Sequence, residues 1–135
     1  MSRKHNNYLY GKESKKQRFV GLTFDFIESD AYRYLSNAAL RVLVELKHKF
    51  NGANNGDIVL SCRQIEHACK ISRNTASRAF AELQSKGIIT KTKQGYFGMR
   101  IACTWKLNTD KNAGENRPSN EWKNWRPGMD LTVAI

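Results

Sequence analysis

The segment 71–83 carries hydrogen-bond donors at a spacing that places them on one face of a helix. Its sequence is ISRNTASRAFAEL, and Ser72 suits its start because a serine oxygen accepts a bond from a free backbone N–H there. At about 100° per residue, one face collects the apolar side chains Ala76, Ala79, Phe80 and Leu83. The opposite face carries Asn74, Ser77, Arg78 and Ala81, flanked in the first turn by Arg73 and Thr75.

These polar residue types suit contact with the base edges of DNA. Arginine can donate two bonds to guanine O6 and N7, and asparagine can pair with adenine N6 and N7. Short side chains such as Ser77 and Ala81 keep a helix slim enough for a major groove about 12 Å wide. The free N–H groups of a helix start also attract phosphate. The face is therefore a candidate for base contacts, and a merely solvated surface is the alternative.

Basic residues are concentrated in two segments of the chain, which has 135 residues and a net charge of +11. Residues 62–106 contain nine basic and two acidic residues, and residues 1–18 contain six basic and one acidic, whereas 19–61 carry −1. Such a field favours polyanions, nucleic acid first and anionic membrane second. Charge alone does not choose between the two. The apolar runs are shorter than a membrane span needs, so we expect no membrane, and the polar face of the segment 72–86 makes double-stranded DNA the expected partner.

The elements that position this face follow from capping and periodicity. Ser61 and Gln64 form a Ser-x-x-Gln capping box, which predicts a helix start. Gly87 suits the end of the helix over 72–86 because it tolerates a left-handed conformation. Residues 19–26 alternate in polarity and are predicted to be strand-like or extended. The predicted order continues with a short helix capped by Ser29, a helix over 36–50, a strand over 58–60, the helices from Ser61 and Ser72, and a hairpin of residues 88–93 and 99–107.

This order predicts an α+β fold of the winged helix-turn-helix type. It has a three-helix core, a short strand and a two-stranded β wing. The predicted domain organisation is a flexible basic arm over 1–18, a DNA-binding domain over 19–107 and a polar tail over 108–135.

The segment 71–89, ISRNTASRAFAELQSKGII, resembles the recognition helix of GntR-type winged-helix regulators, with a likeness that covers roughly residues 61–107. The resemblance implies DNA contacts by Arg63, Arg73, Asn74, Ser77 and a wing glycine, Gly95. The chain departs from that family in two ways. It has no room for an effector-binding domain, and Lys70 stands where a small residue is expected.

The whole chain also resembles small winged-helix proteins of bacterial mobile elements. The matching positions are Leu35-Ser36, residues 51–56, Phe97-Gly98, Thr104 and Trp105. This likeness implies the fold more than a role.

The hairpin and the second helix supply further candidates. Arg63, Lys91, Lys93 and Arg100 are expected to contact phosphates, with Gly95 at the tip of the wing. A single recognition helix contacts only a few base pairs, so we expect a homodimer on a two-fold site.

The sequence indicates neither a metal site nor catalysis. The three cysteines, Cys62, Cys69 and Cys103, lack the close spacing of zinc ligands, and their odd number favours a reducing compartment. Carboxylates are scattered and no catalytic motif occurs. We therefore expect no cofactor and no enzyme activity, and a cytoplasmic, nucleoid-associated location.

Trp122 and Trp125 are spaced to share one face of a short helix. One interpretation is that they pack back onto the domain. The other is that they anchor a protein partner, because tryptophan is enriched at interface hot spots.

The predicted function is a sequence-specific transcriptional regulator with helix 72–86 in the major groove. Three alternatives remain at this point. They are an initiator or accessory factor for plasmid or phage replication, a protein-interaction winged helix that uses its tryptophans, and an RNA-binding protein.

Overall fold

Helices and short strands make up most of the part of the chain that the computed structural model describes, residues 17–93, 103–111, 115 and 117–129. These residues form an α+β fold with five α-helices, one 3₁₀ helix and three strands, so the predicted class is confirmed. The elements are α1 (Phe24–Ile27), α2 (Asp30–Arg33), α3 (Asn37–Lys49), β1 (Ile58–Val59), α4 (Cys62–Cys69), α5 (Arg73–Ser85), β2 (Ile89–Lys93), β3 (Thr104–Leu107) and the 3₁₀ helix Glu121–Asn124.

A hydroxyl side chain begins each of these α-helices. The capping oxygens belong to Thr23, Ser29, Ser36, Ser61 and Ser72, in chain order. At α4 the predicted capping box is complete, because the Gln64 N–H donates to Ser61 Oγ at 3.1 Å and Gln64 Oε1 accepts from the Ser61 N–H at 2.9 Å. Each such cap stabilises its helix by about 1 kcal/mol. The predicted starts of α2, α3, α4 and α5 are confirmed.

The prediction of a strand-like segment over residues 19–26 is wrong at its C-terminal end. The Thr23 hydroxyl accepts the Phe26 N–H at 3.2 Å and starts the helical turn α1. This turn leaves Phe24 80% exposed while Phe26 is buried. The alternating apolar residues of 19–26 suggested a strand. A single helical turn that buries one ring is too short to show the apolar stripe by which a helix is recognised in a sequence.

The three strands form one antiparallel sheet in the order β1-β3-β2. Trp105, in the central strand, lies opposite Ile58 of β1 and Lys91 of β2. Its indole N–H donates to the Leu60 carbonyl at 2.9 Å, and its ring stacks on Phe80 of α5 with 4.6 Å between centroids. The sheet is thereby joined to the centre of α5.

The core lies between helices α3, α4 and α5 and the inner side of the sheet. Helix α5 packs against α3, α4 and β2. The fully buried large side chains include Leu43 and Leu46 of α3, Ile65 of α4, Leu83 of α5 and Ile88 and Leu107 at the sheet.

Trp122 and Trp125 belong to the same core. They are 3% and 5% exposed, and the Trp122 ring meets Phe26 edge-on at 5.1 Å between centroids. The Lys86 ammonium lies 4.7 Å above the Trp125 ring. The prediction that both tryptophans pack back onto the domain is confirmed, so the core includes residues beyond 107.

Asn108 connects the end of β3 to three other segments. Its side-chain amide donates to the Gly87 carbonyl at 2.9 Å and to Thr90 Oγ1 at 3.0 Å, and its oxygen accepts from the Ser119 hydroxyl at 3.1 Å. The residue is fully buried. A buried amide with these partners fixes the position of the chain after β3.

We expect Asn108→Ala to lower the free energy of unfolding by about 2 kcal/mol, because it removes three hydrogen bonds and leaves the buried Gly87 carbonyl without the Asn108 amide. Urea unfolding followed by circular dichroism measures the loss. The matched control is Asn74→Ala on an exposed helix position, expected to stay within about 0.5 kcal/mol of wild type. Equal effects of the two substitutions would contradict the structural role of Asn108.

Candidate nucleic-acid interface

A three-residue connection, 70–72, sets the position of α5 relative to α4. Lys70 has φ of +59°, a left-handed conformation, and its N–H donates to the Glu66 carbonyl at 3.1 Å. Left-handed backbone favours residues without a Cβ, which explains why a small residue was expected at this position. Ser72 then caps α5 by accepting the Thr75 N–H at 3.1 Å. The two helices therefore meet in a short, bonded turn.

The buried face of α5 is the predicted one. Ala76, Ala79, Phe80 and Leu83 are at most 4% exposed. Gln84 is also buried, which the wheel did not predict. With this face in the core, the orientation of the remaining side chains is determined.

The outer face of α5 is formed by Arg73, Asn74, Ser77 and Arg78, which are all exposed as predicted. Thr75 differs from them, because it is half-buried and its hydroxyl accepts a bond from Ser72 Oγ at 2.9 Å. The Thr75 hydroxyl therefore takes part in the capping interaction with Ser72. It is less available to a ligand than the helical position of Thr75 suggests.

Glu82 directs its charge away from this outer face. Its carboxylate accepts the Ser36 N–H at 2.8 Å and the Ser36 hydroxyl at 2.7 Å, at the start of α3. The Lys86 ammonium lies 3.6 Å from the same carboxylate. A carboxylate at a helix N-terminus is favourable because the dipole and the free N–H groups there are positive. Glu82 thus ties α5 to α3.

Glu66 is the other acidic residue of the segment 62–106, besides Glu82, and it forms an ion pair with Arg73. Arg73 Nε donates to Glu66 Oε1 at 2.9 Å across the α4–α5 turn. The side chains are 55% exposed for Arg73 and 43% for Glu66. Sequence analysis missed this pair, because it depends on the angle between two helices and leaves no periodic signal.

The remaining candidates lie on α4 and the sheet, where the structure describes only some of them. Arg63 is exposed in the first turn of α4, and Lys93 is exposed at the end of β2. Lys91 is half-buried, with its ammonium 5.6 Å from the Trp105 ring centroid. Gly95 and Arg100 fall outside the described residues.

Five of the candidate side chains make no hydrogen bond or ion pair with any residue in the described ranges. They are Arg63, Asn74, Ser77, Arg78 and Lys93. Within those ranges, a ligand that supplies acceptors can bind these side chains without breaking a bond to another described residue.

The thiols of Cys62 and Cys69 are poor metal ligands and nucleophiles in this setting. Burial raises the pKa of the Cys62 thiol, with a further increase from Cys103 that Lys91 and Arg73 oppose. Burial also raises the pKa of Cys69. Since the thiolate is the reactive form, both groups stay protonated at neutral pH. Over residues 17–93, 103–111, 115 and 117–129, no group of three or more potential metal ligands is found.

The chain matches no protein-family model, no curated protein and no solved structure. Within the described part of the chain, no helix is both long and apolar enough to cross a membrane.

We expect the bond between the Ser36 hydroxyl and Glu82 to couple α3 to α5. A double-mutant cycle of Ser36→Ala and Glu82→Ala should give a coupling of about 1 kcal/mol in urea unfolding, because the two groups are in direct contact. The control cycle pairs Ser36→Ala with Glu28→Ala, an exposed glutamate, and should be additive within about 0.5 kcal/mol. Additivity in both cycles would contradict this coupling.

Proposed function

We propose that this chain is a winged helix-turn-helix protein that binds double-stranded DNA at specific sequences and acts as a transcriptional regulator. Helix α5 enters the major groove, and the β2–β3 hairpin contacts the adjacent backbone. The observation that supports this most directly is the outer face of α5. It offers Arg73, Asn74 and Arg78 as long donors around the short Ser77, all exposed.

The arrangement of elements is compatible with that fold. A helix, a short strand, two helices joined by three residues and a pair of strands follow each other in the chain, as in winged-helix domains. Strand β1 pairs with β3, so the hairpin lies against the same core as α5. The proposal has α5 and this pair of strands contact the same DNA molecule.

The shape of α5 also fits a major groove. Its 13 residues span about 20 Å at 1.5 Å per residue. Ala81 is half-buried and Ser77 is small, so no bulky side chain stands between the donors and a base edge. An A-form RNA duplex has a major groove too narrow for a helix, which favours DNA over duplex RNA.

The charge distribution supports binding to a polyanion. Residues 62–106 carry nine basic and two acidic residues. Of the two acids, Glu82 is engaged at the start of α3 and Glu66 is paired with Arg73. Arg63 on α4 and Lys93 on β2 are exposed, and their charges suit phosphate contacts.

The protein-interaction alternative loses its main support. It required Trp122 and Trp125 to anchor a partner, but both rings are buried against the chain's own core. By contrast, Arg73, Asn74, Ser77 and Arg78 on the outer face of α5 are exposed. Because one helix contacts only a few base pairs, the proposal includes two copies on half-sites about 34 Å apart.

We expect Arg78→Ala to weaken binding to the preferred duplex by about 1–3 kcal/mol and to reduce the preference over unrelated duplexes, because a base contact is lost. The preferred duplex is the one enriched from a random pool by the wild-type protein. Gel-shift titrations with both duplexes measure the two affinities.

Lys93→Ala should instead weaken all duplexes alike and reduce the slope of log K against log salt by about 0.9, because it removes one phosphate contact. Arg33→Ala, at an exposed position of α2 outside residues 62–106, is the matched control and should leave both affinities unchanged. The proposal is wrong if wild type prefers no sequence, or if Arg78→Ala and Arg33→Ala bind alike.

A further inference from the structure

The ion pair between Glu66 and Arg73 joins the last part of α4 to the first residue of α5. We propose that Glu66 is a positioning residue for DNA specificity, which orients Arg73 so that its two terminal nitrogens face a base edge. This inference rests on the proposed function, because it assigns a role within the same interface. Its basis is the contact between Arg73 Nε and Glu66 Oε1 at 2.9 Å.

The Glu66 carboxylate contacts the Nε side of the Arg73 guanidinium, which is not the side used for a bidentate contact with a base. A guanidinium carries five N–H donors in a plane, and the carboxylate accepts from the one on Nε. The terminal nitrogens Nη1 and Nη2 have no partner in the described part of the chain. These two nitrogens form the pair that donates to guanine O6 and N7 in a bidentate contact. Glu66 therefore holds the arginine without using its base-recognition end.

The backbone of Glu66 is itself fixed. Its carbonyl accepts the N–H of Lys70, the left-handed residue of the turn, at 3.1 Å. Arg73 is the first residue after the Ser72 cap. Both partners are thus attached to the same short turn, so their relative position does not depend on a flexible loop.

The pair has little value as a stabilising contact. Both side chains are about half exposed, and exposed ion pairs contribute little to stability. A carboxylate on a basic DNA-facing surface also repels phosphate and weakens non-specific attraction. Glu66 therefore lowers the affinity for DNA of any sequence. A role in orienting Arg73 accounts for a carboxylate at this position despite that loss of affinity.

A restrained arginine improves discrimination for an entropic reason. A free arginine side chain has several rotatable bonds, and ordering them on binding reduces the gain from any contact. An unrestrained arginine can also bind phosphate oxygens. These are present at every DNA sequence, so the contact does not discriminate between sequences. Restraint by Glu66 reduces the ordering cost of the base contact and disfavours the phosphate contact.

Removal of the carboxylate should therefore raise the non-specific affinity and lower the specificity ratio. Glu66→Ala is expected to tighten binding to an unrelated duplex, because a negative charge is removed. It is expected to reduce the ratio of specific to non-specific affinity by on the order of threefold to tenfold, which lies in the lower part of the range of couplings between residues in contact. Glu66→Gln keeps an acceptor oxygen for Nε and should recover part of the lost ratio.

The experiment measures dissociation constants for the preferred and an unrelated duplex with wild type, Glu66→Ala, Glu66→Gln, Arg73→Ala and the Glu66→Ala/Arg73→Ala double variant. Glu28→Ala removes an exposed carboxylate from the end of α1 and is the matched charge control. We expect the specificity ratio to fall in Glu66→Ala and to stay at the wild-type value in Glu28→Ala. In the Arg73→Ala background, removal of Glu66 should leave the ratio unchanged.

Two results would overturn the positioning role while leaving the DNA-binding proposal intact. One is a wild-type ratio in Glu66→Ala together with a reduced ratio in Arg73→Ala. The other is an equal fall of the ratio on removal of Glu66 with and without Arg73, because Glu66 would then act independently of the arginine. If wild type itself prefers no sequence, the proposed function and this inference both fail.

Discussion

The contact between Trp105 and Phe80 is the constraint on which the rest of the structure depends. The two rings are nearly parallel, at 7°, with 4.6 Å between their centroids. Trp105 is in the central strand of the sheet and Phe80 is in the middle of α5, while the indole N–H is bonded to the Leu60 carbonyl. One side chain thus sets the sheet, the segment between β1 and α4, and helix α5 in a fixed relation. If the hairpin and α5 contact one DNA molecule together, this stack determines the distance between the two contacts.

The two sides of α5 illustrate how stability and binding are separated in this chain. Inward, the helix is held by apolar packing and by the Glu82 carboxylate at the start of α3. Outward, Asn74, Ser77 and Arg78 make no hydrogen bond or ion pair within the described residues. Substitutions on the outer face should therefore change binding with little effect on folding, which makes the face suitable for variation in sequence preference.

Local features of the fold were predictable from the sequence, and features that depend on distant contacts were not. The caps at Ser61 and Ser72 and the left-handed Gly87, with φ of +74°, follow from short-range chemistry. Helical periodicity also identified the exposed side of α5, because the spacing of apolar residues determines which face is buried. The Glu66–Arg73 pair and the bonds of Asn108 join residues whose proximity arises only after the helices pack. The role of Gly95 and Arg100, outside the described residues, stays a prediction.

The central claim is that α5 contacts base edges in the major groove, and 7-deazapurine substitution tests it most directly. This substitution replaces the N7 acceptor of a purine with C–H and leaves base pairing and the minor groove unchanged. In competition with the unmodified preferred duplex, substitution at one or a few purines should weaken binding by roughly fivefold or more, since a bidentate base contact contributes about 1–3 kcal/mol. Equal binding of the unmodified duplex and of every substituted duplex would contradict major-groove recognition by α5.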